Sequence, residues 1–584
     1  MTVNAGVAVA RSQQLRPLET PSALGSSACA RAIFVAGLLT AASLVAFAWF
    51  ARFPVPYRDD WDWLLWLFRG PKTLARFFEP HNEHMIPLPR LLMWLQYRLQ
   101  GANGTLLCWV ALASQATVAA IFVKEVRLRW ADAESRDTLV GVTLLAVCFA
   151  YQLQSLVFVA AALFPLVQAL SAVAILCGVS ASDPQAGQRR GPWLAASVVM
   201  TAGAMLTTSN GLLVPFILAL VVALRRSHPL VTGVYVALGT CGAVLFASTV
   251  LGTSAARASG AIAPSEHVAA VVQYFLAFFV PFLTYGSPAI GAIGGGLGLL
   301  AGVLLCFRTA LQPARTPRLD WIACALMLFV VGSAGMAAVG RAQFGVDQAA
   351  QSRYATFALV YWAALVAAAA SWLEQRTGEA LRIPRAAQVP VLAVVGLVLV
   401  AHLVIGVVWL AKTGNVRAAG LALSAGVQDE EWLKTLHPIT SAIHEAMRLT
   451  RADGDRTIID PRIGTKLSMA EGITGCTGAL TLGPVAPTAF LRLSGHIEDT
   501  ANRGLVIDAT GTVVGLAEPA PLLATPDPPR TAFTAAVRQA MLQGRRRIAG
   551  GWIGFVQPSP SLPLTFVAMD GTEQPVCRID LAVR

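Results

Sequence analysis

The chain has 584 residues, of which 55% are hydrophobic and 13% charged, and its mean hydropathy is +0.61. Soluble domains carry about 25% charged residues, so this composition excludes an ordinary soluble domain and predicts a polytopic membrane protein. The net charge of +12 is spread over short loops and the two ends. It forms no basic stripe with interleaved aromatic side chains, so no nucleic-acid partner is expected. Basic residues of this kind set membrane topology and contact lipid headgroups.

Residues 1–30 are polar, and we expect them to form a disordered cytoplasmic N-terminus. Arg11, Arg16 and Arg31 place this end in the cytoplasm by the positive-inside rule. Twelve apolar runs of membrane-spanning or near-spanning length then follow. They lie at roughly 32–51, 105–123, 138–151, 156–179, 192–207, 210–224, 229–251, 267–284, 287–307, 320–339, 354–373 and 389–411.

The positions of the basic loops fit strict alternation only if one run between 252 and 307 does not cross the membrane. The stretch 266–285 contains Gln273 and Pro281, and it is our candidate for a re-entrant or interfacial helix. This gives about eleven crossings within a transmembrane domain at 31–411 and places the C-terminus outside. The alternative is twelve crossings with the C-terminal tail inside.

The first outer loop, residues 53–104, is long enough to have structure of its own. It contains an aromatic-rich segment from Trp61 to Phe68 and a second segment, Leu88–Leu99, in which Leu, Met and Trp alternate with polar residues. Both segments are typical of amphipathic helices that lie in the headgroup layer.

The composition changes beyond residue 412. Residues 412–455 are predicted to form a helical connector, in which Asp429-Glu430-Glu431 begins a helix. Residues 456–584 contain short strands separated by turns, which indicates an extracytoplasmic β-rich domain, most simply a small sandwich. The expected strands are at 457–459, 491–493, 505–507, 512–514 and 564–567. If this domain is outside the cell, Cys476 and Cys577 could form a disulfide; the alternative is two separate buried thiols.

Two adjacent acids, Asp59 and Asp60, lie about nine residues beyond the end of the first apolar run. Carboxylates near hydrocarbon lose hydration and are kept mainly where they have partners or a function. Such a pair could act as a general base or hold a divalent cation. Alternatively, the two acids could cap the helix that begins near Trp61; both roles are compatible.

A second polar segment, His81-Asn82-Glu83-His84, lies in the same loop. Two histidines three residues apart would share one face of a helical turn, where they could ligate a metal with Asp59, Asp60 or Glu83 as a third ligand. The candidate ligands for a divalent cation are therefore Asp60, His81 and His84. The alternative is a hydrogen-bonded loop clamp ahead of a proline-bent helix.

A third cluster lies in the short loop between the last spans, where Arg341 and the pair Arg353-Tyr354 mark its two ends. Guanidinium groups close to a membrane surface bind phosphate through forked hydrogen bonds. The alternative role is topological anchoring, but alternation puts this loop outside. Two polar breaks, 152–155 and 207–211, fall on the same predicted face.

This combination resembles the GT-C class of polytopic glycosyltransferases. The features that resemble it are the acidic pair after the first span, the long structured first loop, the many spans and the outer C-terminal domain. The resemblance implies transfer of a sugar from a polyprenyl-phosphate donor to a cell-envelope glycan or lipid acceptor, at the outer face of the plasma (inner) membrane. It implies that Asp59 or Asp60 is the catalytic base and that Arg341 and Arg353 face the lipid phosphate.

We also expect Arg58, His81, Glu83, His84 and Tyr354 to contact substrate. Two other classes of function stay open. A transporter or flippase for a lipid-linked glycan would need polar or broken spans at mid-membrane. A non-catalytic scaffold that displays a glycan-binding β domain would leave the first-loop acids and histidines without a role.

Overall fold

The computed structural model describes residues 27–71, 73–81, 84–227, 229–251, 264–284, 287–452, 458–467, 473–484, 490–499, 501–519, 551–558 and 560–583. The helices of the first half are α1 (Ala28–Ala51), α2 (Asp60–Phe68), α3 (Leu74–Phe77), α4 (Pro87–Gln100), α5 (Thr105–Arg129), α6 (Ala133–Val147), α7 (Leu153–Val157), α8 (Leu163–Ala181), α9 (Arg190–Met205) and α10 (Leu213–Leu224). The later helices are α11 (Pro229–Phe246), α12 (Pro264–Ala277), α13 (Pro281–Thr284), α14 (Pro288–Leu311), α15 (Arg318–Arg341), α16 (Val346–Ala349), α17 (Ser352–Thr377), α18 (Arg385–Ser424), α19 (Glu430–Leu436) and α20 (Thr440–Ala452).

Long apolar helices dominate the first 424 residues. Nine helices of the described part of the chain are long and apolar enough to cross a membrane, and two shorter apolar helices lie at Ser209–Leu224 and His267–Ala277. About 20 apolar residues in a helix span the hydrocarbon core, which explains why the apolar runs become these helices. The predicted polytopic helical fold is therefore confirmed. The last spanning helix continues past the expected boundary at 411, to Ser424.

The path from α6 to α8 is not one continuous helix. Two 3-10 turns, at 150–152 and 159–162, flank the short helix α7; we call residues 148–162 the helix break. Backbone groups near a membrane need partners inside the protein, and side chains supply them here. Gln115 and Gln152 donate through Nε2 to the Val147 carbonyl, and the Ala150 N–H donates to His402 Nδ1 at 3.0 Å.

One face of the helical domain collects the basic loops. Arg318 donates through Nε to Glu125 at 3.0 Å, and Arg129 pairs with Glu374 at 2.6 Å. These contacts join the end of α5, the start of α15 and the end of α17. The positive-inside rule predicts a cytoplasmic location for such a face, and this orientation stays a prediction.

The opposite face carries the first loop, the helix break and the turn between α15 and α17. Helix α12, at the uncertain crossing, packs against α14, α15 and the turn that follows Arg341. Whether this helix crosses the membrane or lies at its surface stays a prediction, as does the number of eleven crossings.

The first loop forms a compact layer over this face. In α2, the side chains of Trp61, Trp63 and Leu64 are buried, and the helix packs against α20. The apolar side of α2 is therefore covered by protein, and its expected place in the headgroup layer stays a prediction. In α4, Leu91 and Leu99 are exposed, as expected for a helix at the membrane interface.

The C-terminal domain is a closed β-barrel. Its strands are β3 (Thr474–Gly475), β4 (Gly478–Pro484), β5 (Leu491–Ile497), β6 (Arg503–Ile507), β7 (Val513–Pro519), β8 (Gly551–Val556), β9 (Leu564–Met569) and β10 (Pro575–Val583); β1 (Pro80–His81) and β2 (His84–Met85) form a separate hairpin in the first loop. The strand order is β3-β10-β4-β5-β8-β7-β6-β9, and β10 also pairs with β9. The β-rich domain is confirmed, but it is a barrel rather than the expected sandwich, because β10 joins both ends of the sheet.

Four of the expected strands lie within β5, β6, β7 and β9. The fifth, at 457–459, does not form in its described part, where Ile458 and Ile459 lie in a bend. The connector contains the predicted helix as two pieces, α19 and α20. The ring of Trp432 in α19 packs edge-on against Phe555 of β8 at 5.4 Å, so the connector and the barrel share one apolar contact.

Cys476 and Cys577 form a disulfide that links β10 to the segment between β3 and β4. Of the two alternatives for these cysteines, the structure therefore contains the paired form. Disulfides persist in oxidising compartments, which favours an extracytoplasmic barrel.

Replacing Arg318 by Gln should destabilise the helical domain by about 3–5 kcal/mol, because it leaves the charge of Glu125, whose side chain is 3% exposed, without its partner. Unfolding of the purified protein in detergent measures this. The double variant Glu125→Gln/Arg318→Gln should recover most of the loss. Equal stability of the single variant and the wild type would contradict the assignment of Glu125 and Arg318 as a buried ion pair.

Replacing both Cys476 and Cys577 by Ser should lower the free energy of unfolding of the barrel by about 2–4 kcal/mol, because a disulfide restricts the unfolded chain. Unfolding with and without reductant measures the effect. The matched control is Cys241→Ser, since this exposed thiol is free and its loss should change nothing. A reductant-insensitive wild type would show that the bond does not form.

Candidate functional site at one membrane face

Asp59 and Asp60 lie at the start of α2 but in different environments. The Asp60 side chain is buried, and its two oxygens accept hydrogen bonds from the N–H groups of Tyr57 at 3.0 Å and Ala160 at 2.7 Å. The Asp59 side chain is half-exposed and accepts no hydrogen bond from a described residue, including the first turn of the helix it precedes. The first carboxylate is therefore open to a ligand, and the second ties the loop to the helix break.

Burial raises the pKa of Asp60 well above the ordinary value of an aspartate. The N–H groups of Tyr57 and Ala160 act in the opposite direction, because they stabilise the ionised form. Asp62, one turn into α2, also has a raised pKa, mainly through burial, and its carboxylate lies 3.8 Å from His437.

Arg58 precedes the acidic pair in a strained conformation. Its φ is 51°, a left-handed value that is uncommon for a residue other than glycine. Its N–H donates to the Leu436 carbonyl at 2.7 Å, which ties this turn to the connector, and its Nε donates to the Tyr57 hydroxyl at 3.2 Å. Burial acts to raise the pKa of Tyr57, but Lys412 and Arg58 outweigh it and hold that pKa below its ordinary value. Strain of this kind is found at functional sites.

His81 and His84 lie on a β-hairpin, so the expected helical turn is wrong. They face each other across β1 and β2, with residues 82 and 83 between them. His81 Nε2 accepts a hydrogen bond from Trp63 Nε1 at 3.2 Å, and His84 Nδ1 lies 3.3 Å from the Ser209 hydroxyl. The pairing of β1 with β2, rather than a helical turn, accompanies the contact between His81 and Trp63.

A metal site is not assembled from these side chains in the described part of the chain. The candidate ligands Asp60, His81 and His84 do not meet; the only group of three or more potential ligands found there contains Cys476, Cys577 and Asp499, whose two sulfurs form the disulfide. Glu83 lies outside the described residues. A divalent cation stays a prediction.

Arg341 ends α15, and Arg353 and Tyr354 begin α17. The Arg353 guanidinium lies 5.2 Å from the Tyr354 ring, and its Nε is buried with no hydrogen-bond partner among the described residues. The Tyr354 hydroxyl is also buried without a hydrogen bond of normal geometry, although it lies close enough to the Tyr274 hydroxyl to interact with it. Both side chains thus present donors without well-placed acceptors.

The helix break joins the two loops. At one end, the Ala160 N–H binds Asp60. At the other, Ser155 Oγ donates to the Arg353 carbonyl at 3.0 Å, and the Tyr151 hydroxyl donates to the Ala350 carbonyl at 2.8 Å. The acidic loop and the arginine loop are therefore attached to the same stretch of fifteen residues, 148–162.

The first loop is also attached to the second polar break, because the Leu88 N–H donates to the Leu206 carbonyl at 2.9 Å. The sequence predicted that these breaks share one face, but it did not predict the contacts of Tyr57 and Tyr151. Tyr151 follows a run of apolar residues and precedes Gln152, and a tyrosine at the end of a span is a weak signal for a hydrogen-bonded anchor.

These observations define a polytopic membrane protein with a polar site at one membrane face and a β-barrel docked beside it. No family model matches the chain, and no curated protein matches it. Two solved structures are similar over most of the chain: ArnT from Cupriavidus metallidurans bound to undecaprenyl phosphate (17% identity, 76% of this chain and 82% of that chain, TM-score 0.35) and the same protein in the apo state (16%, 75% and 82%, TM-score 0.35). Similarity at this TM-score carries no functional argument, so function is judged on the residues of this site.

Replacing Asp60 by Ala should lower the free energy of unfolding by about 2–6 kcal/mol, because two buried N–H groups each lose an acceptor at about 1–3 kcal/mol. The matched control is Asp59→Ala, whose half-exposed side chain should change stability by less than about 0.5 kcal/mol. Unfolding in detergent distinguishes the two. Equal stability of the two variants would contradict the separation of their roles.

Proposed function

We propose that the chain is a GT-C-like membrane glycosyltransferase that takes a sugar from a polyprenyl-phosphate donor at the outer face of the plasma membrane. The acceptor is a hydroxyl of a cell-envelope glycan or lipid. The observation that carries the proposal is the attachment of two loops to one helix break. One loop presents a half-exposed carboxylate, and the other presents arginine and tyrosine donors without acceptors.

In this proposal Asp59 is the general base. Its carboxylate takes the proton of the acceptor hydroxyl while the acceptor oxygen forms a bond to the anomeric carbon. The bond from that carbon to the phosphate oxygen breaks, and the polyprenyl phosphate leaves with the electron pair. Preorganised donors stabilise charge that develops on a leaving group, and we assign this task to Arg341 and Arg353.

Asp60 positions the base rather than replacing it. Its carboxylate is occupied by the two N–H groups described above, so it holds Asp59 at the start of α2. Arg58, the preceding residue, lies within electrostatic reach of Asp59.

The position of the polar groups favours an enzyme over a transporter. A transporter would use broken helices near mid-membrane, whereas this helix break lies at the face that carries the first loop. The buried His402, within α18, is engaged on both ring nitrogens, by the Ala150 N–H and by Ser43 Oγ at 2.8 Å. It therefore serves packing between α1, α18 and the break.

Replacing Asp59 by Asn should reduce transfer by about 10²–10⁴-fold, because general base catalysis contributes about that factor. The variant should fold normally, since Asp59 has no described hydrogen bond to lose. The assay is complementation of a deletion strain, with surface-glycan composition determined by mass spectrometry at matched protein levels.

The matched control is Asp62→Asn, which removes a second, partly exposed carboxylate of the same helix and should leave transfer close to wild type. Full glycan modification by Asp59→Asn would refute the role of Asp59. A glycan that does not change even when the gene is deleted would refute the proposed function as a whole.

A further inference from the structure

A group of buried hydrogen-bond donors without acceptors surrounds the start of α17. Tyr274, from helix α12, is 0% exposed, and Tyr354 is 4% exposed. The hydroxyl groups of both, together with Nε of Arg353, make no hydrogen bond of normal geometry in the described part of the chain, although the two hydroxyls lie close enough to interact with each other. Buried polar atoms of this kind are uncommon, and each needs an explanation.

These groups lie close to one another. Tyr274 interacts electrostatically with Tyr354 and with the guanidinium groups of Arg341 and Arg353. Helix α12 packs against α15 and the loop that carries Arg341. Two phenols and two guanidinium groups, carried by α12, α15 and α17, therefore lie close together.

The Tyr354 ring is held by aromatic neighbours. The Tyr354 ring packs against Phe164 at 5.7 Å and Phe278 at 5.5 Å. Outside α12, the Tyr151 hydroxyl binds the Ala350 carbonyl and lies 3.4 Å from the Pro281 carbonyl, which ties α13 to the same loop.

The donors define the chemistry of the missing partner. A guanidinium group only donates, so neither arginine can accept the proton of a neighbouring phenol, and that O–H needs another acceptor. What satisfies all of them is a group with several acceptor oxygens and negative charge, and phosphate is such a group.

We propose that Tyr274 is a further phosphate-binding residue of the site, so that α12 contributes to the donor subsite through its hydroxyl. This inference rests on the proposed function for the class of ligand, a polyprenyl phosphate. It adds a residue and a helix to which sequence analysis assigned no chemistry. It also gives α12 a reason to lie at the membrane face rather than to cross.

The test compares the full-length wild type with Tyr274→Phe, which keeps the ring and removes only the hydroxyl. Binding of farnesyl phosphate to the detergent-purified protein is measured, with farnesol as the uncharged reference. Loss of one hydrogen bond to a charged group should weaken farnesyl phosphate binding about tenfold and leave farnesol binding unchanged. The melting temperature without ligand should stay the same or rise, because an unsatisfied buried hydroxyl is removed.

The matched control is Tyr235→Phe. Its hydroxyl is also buried, but it donates to Ser197 Oγ at 2.7 Å, so this variant should lower the melting temperature and leave farnesyl phosphate binding unchanged. Wild-type affinity in Tyr274→Phe, or no preference of the wild type for farnesyl phosphate over farnesol, would overturn the inference. A structural role for Tyr274 would instead lower the melting temperature, as in the control. None of these results alters the expected loss of transfer in Asp59→Asn, so the two proposals can fail separately.

Discussion

The buried carboxylate of Asp60 holds the candidate site together. It is the point where the first loop meets the helix break, through hydrogen bonds from Tyr57 and Ala160, residues separated by about a hundred positions in sequence. A buried carboxyl group that accepts bonds from two N–H donors is a directional contact inside a protein. Its neighbour Asp59 stays half-exposed because the hydrogen bonds of Asp60 fix the chain between Tyr57 and α2 on its buried side.

The membrane environment explains why the helix break can connect the two loops. A helix interrupted near hydrocarbon must satisfy its free backbone groups within the protein. The side chains of Gln115, Gln152 and His402 satisfy the break on its inner side. Its outer side is satisfied by Asp60, and it binds the Arg353 loop through Ser155. The hydrogen bonds that satisfy the backbone of the helix break thus also bring an acidic loop and a basic loop to the same face.

The sequence predicts those parts of the molecule that local pattern determines. Apolar runs of spanning length became helices, and alternating segments such as 505–507 became strands. It could not separate Asp59 from Asp60, because the difference depends on a contact with Ala160. It could not distinguish a barrel from a sandwich, because closure depends on β10 pairing with both β4 and β9. Histidines three residues apart fit a helical turn and a pair of short strands equally well. The strands are the form in which Trp63 donates to His81.

The central claim is that the Asp59 loop and the Arg353 loop lie on one outward-facing surface, and site-directed thiol labelling tests it most directly. Single cysteines are placed at position 59, at position 353 and, as a cytoplasmic reference, at position 376, and intact cells are treated with a membrane-impermeant maleimide. The account predicts labelling at 59 and 353 in intact cells and labelling at 376 only after lysis. Protection of either 59 or 353 until lysis would contradict it, because the proposed base and the proposed phosphate site would then lie on opposite sides of the membrane.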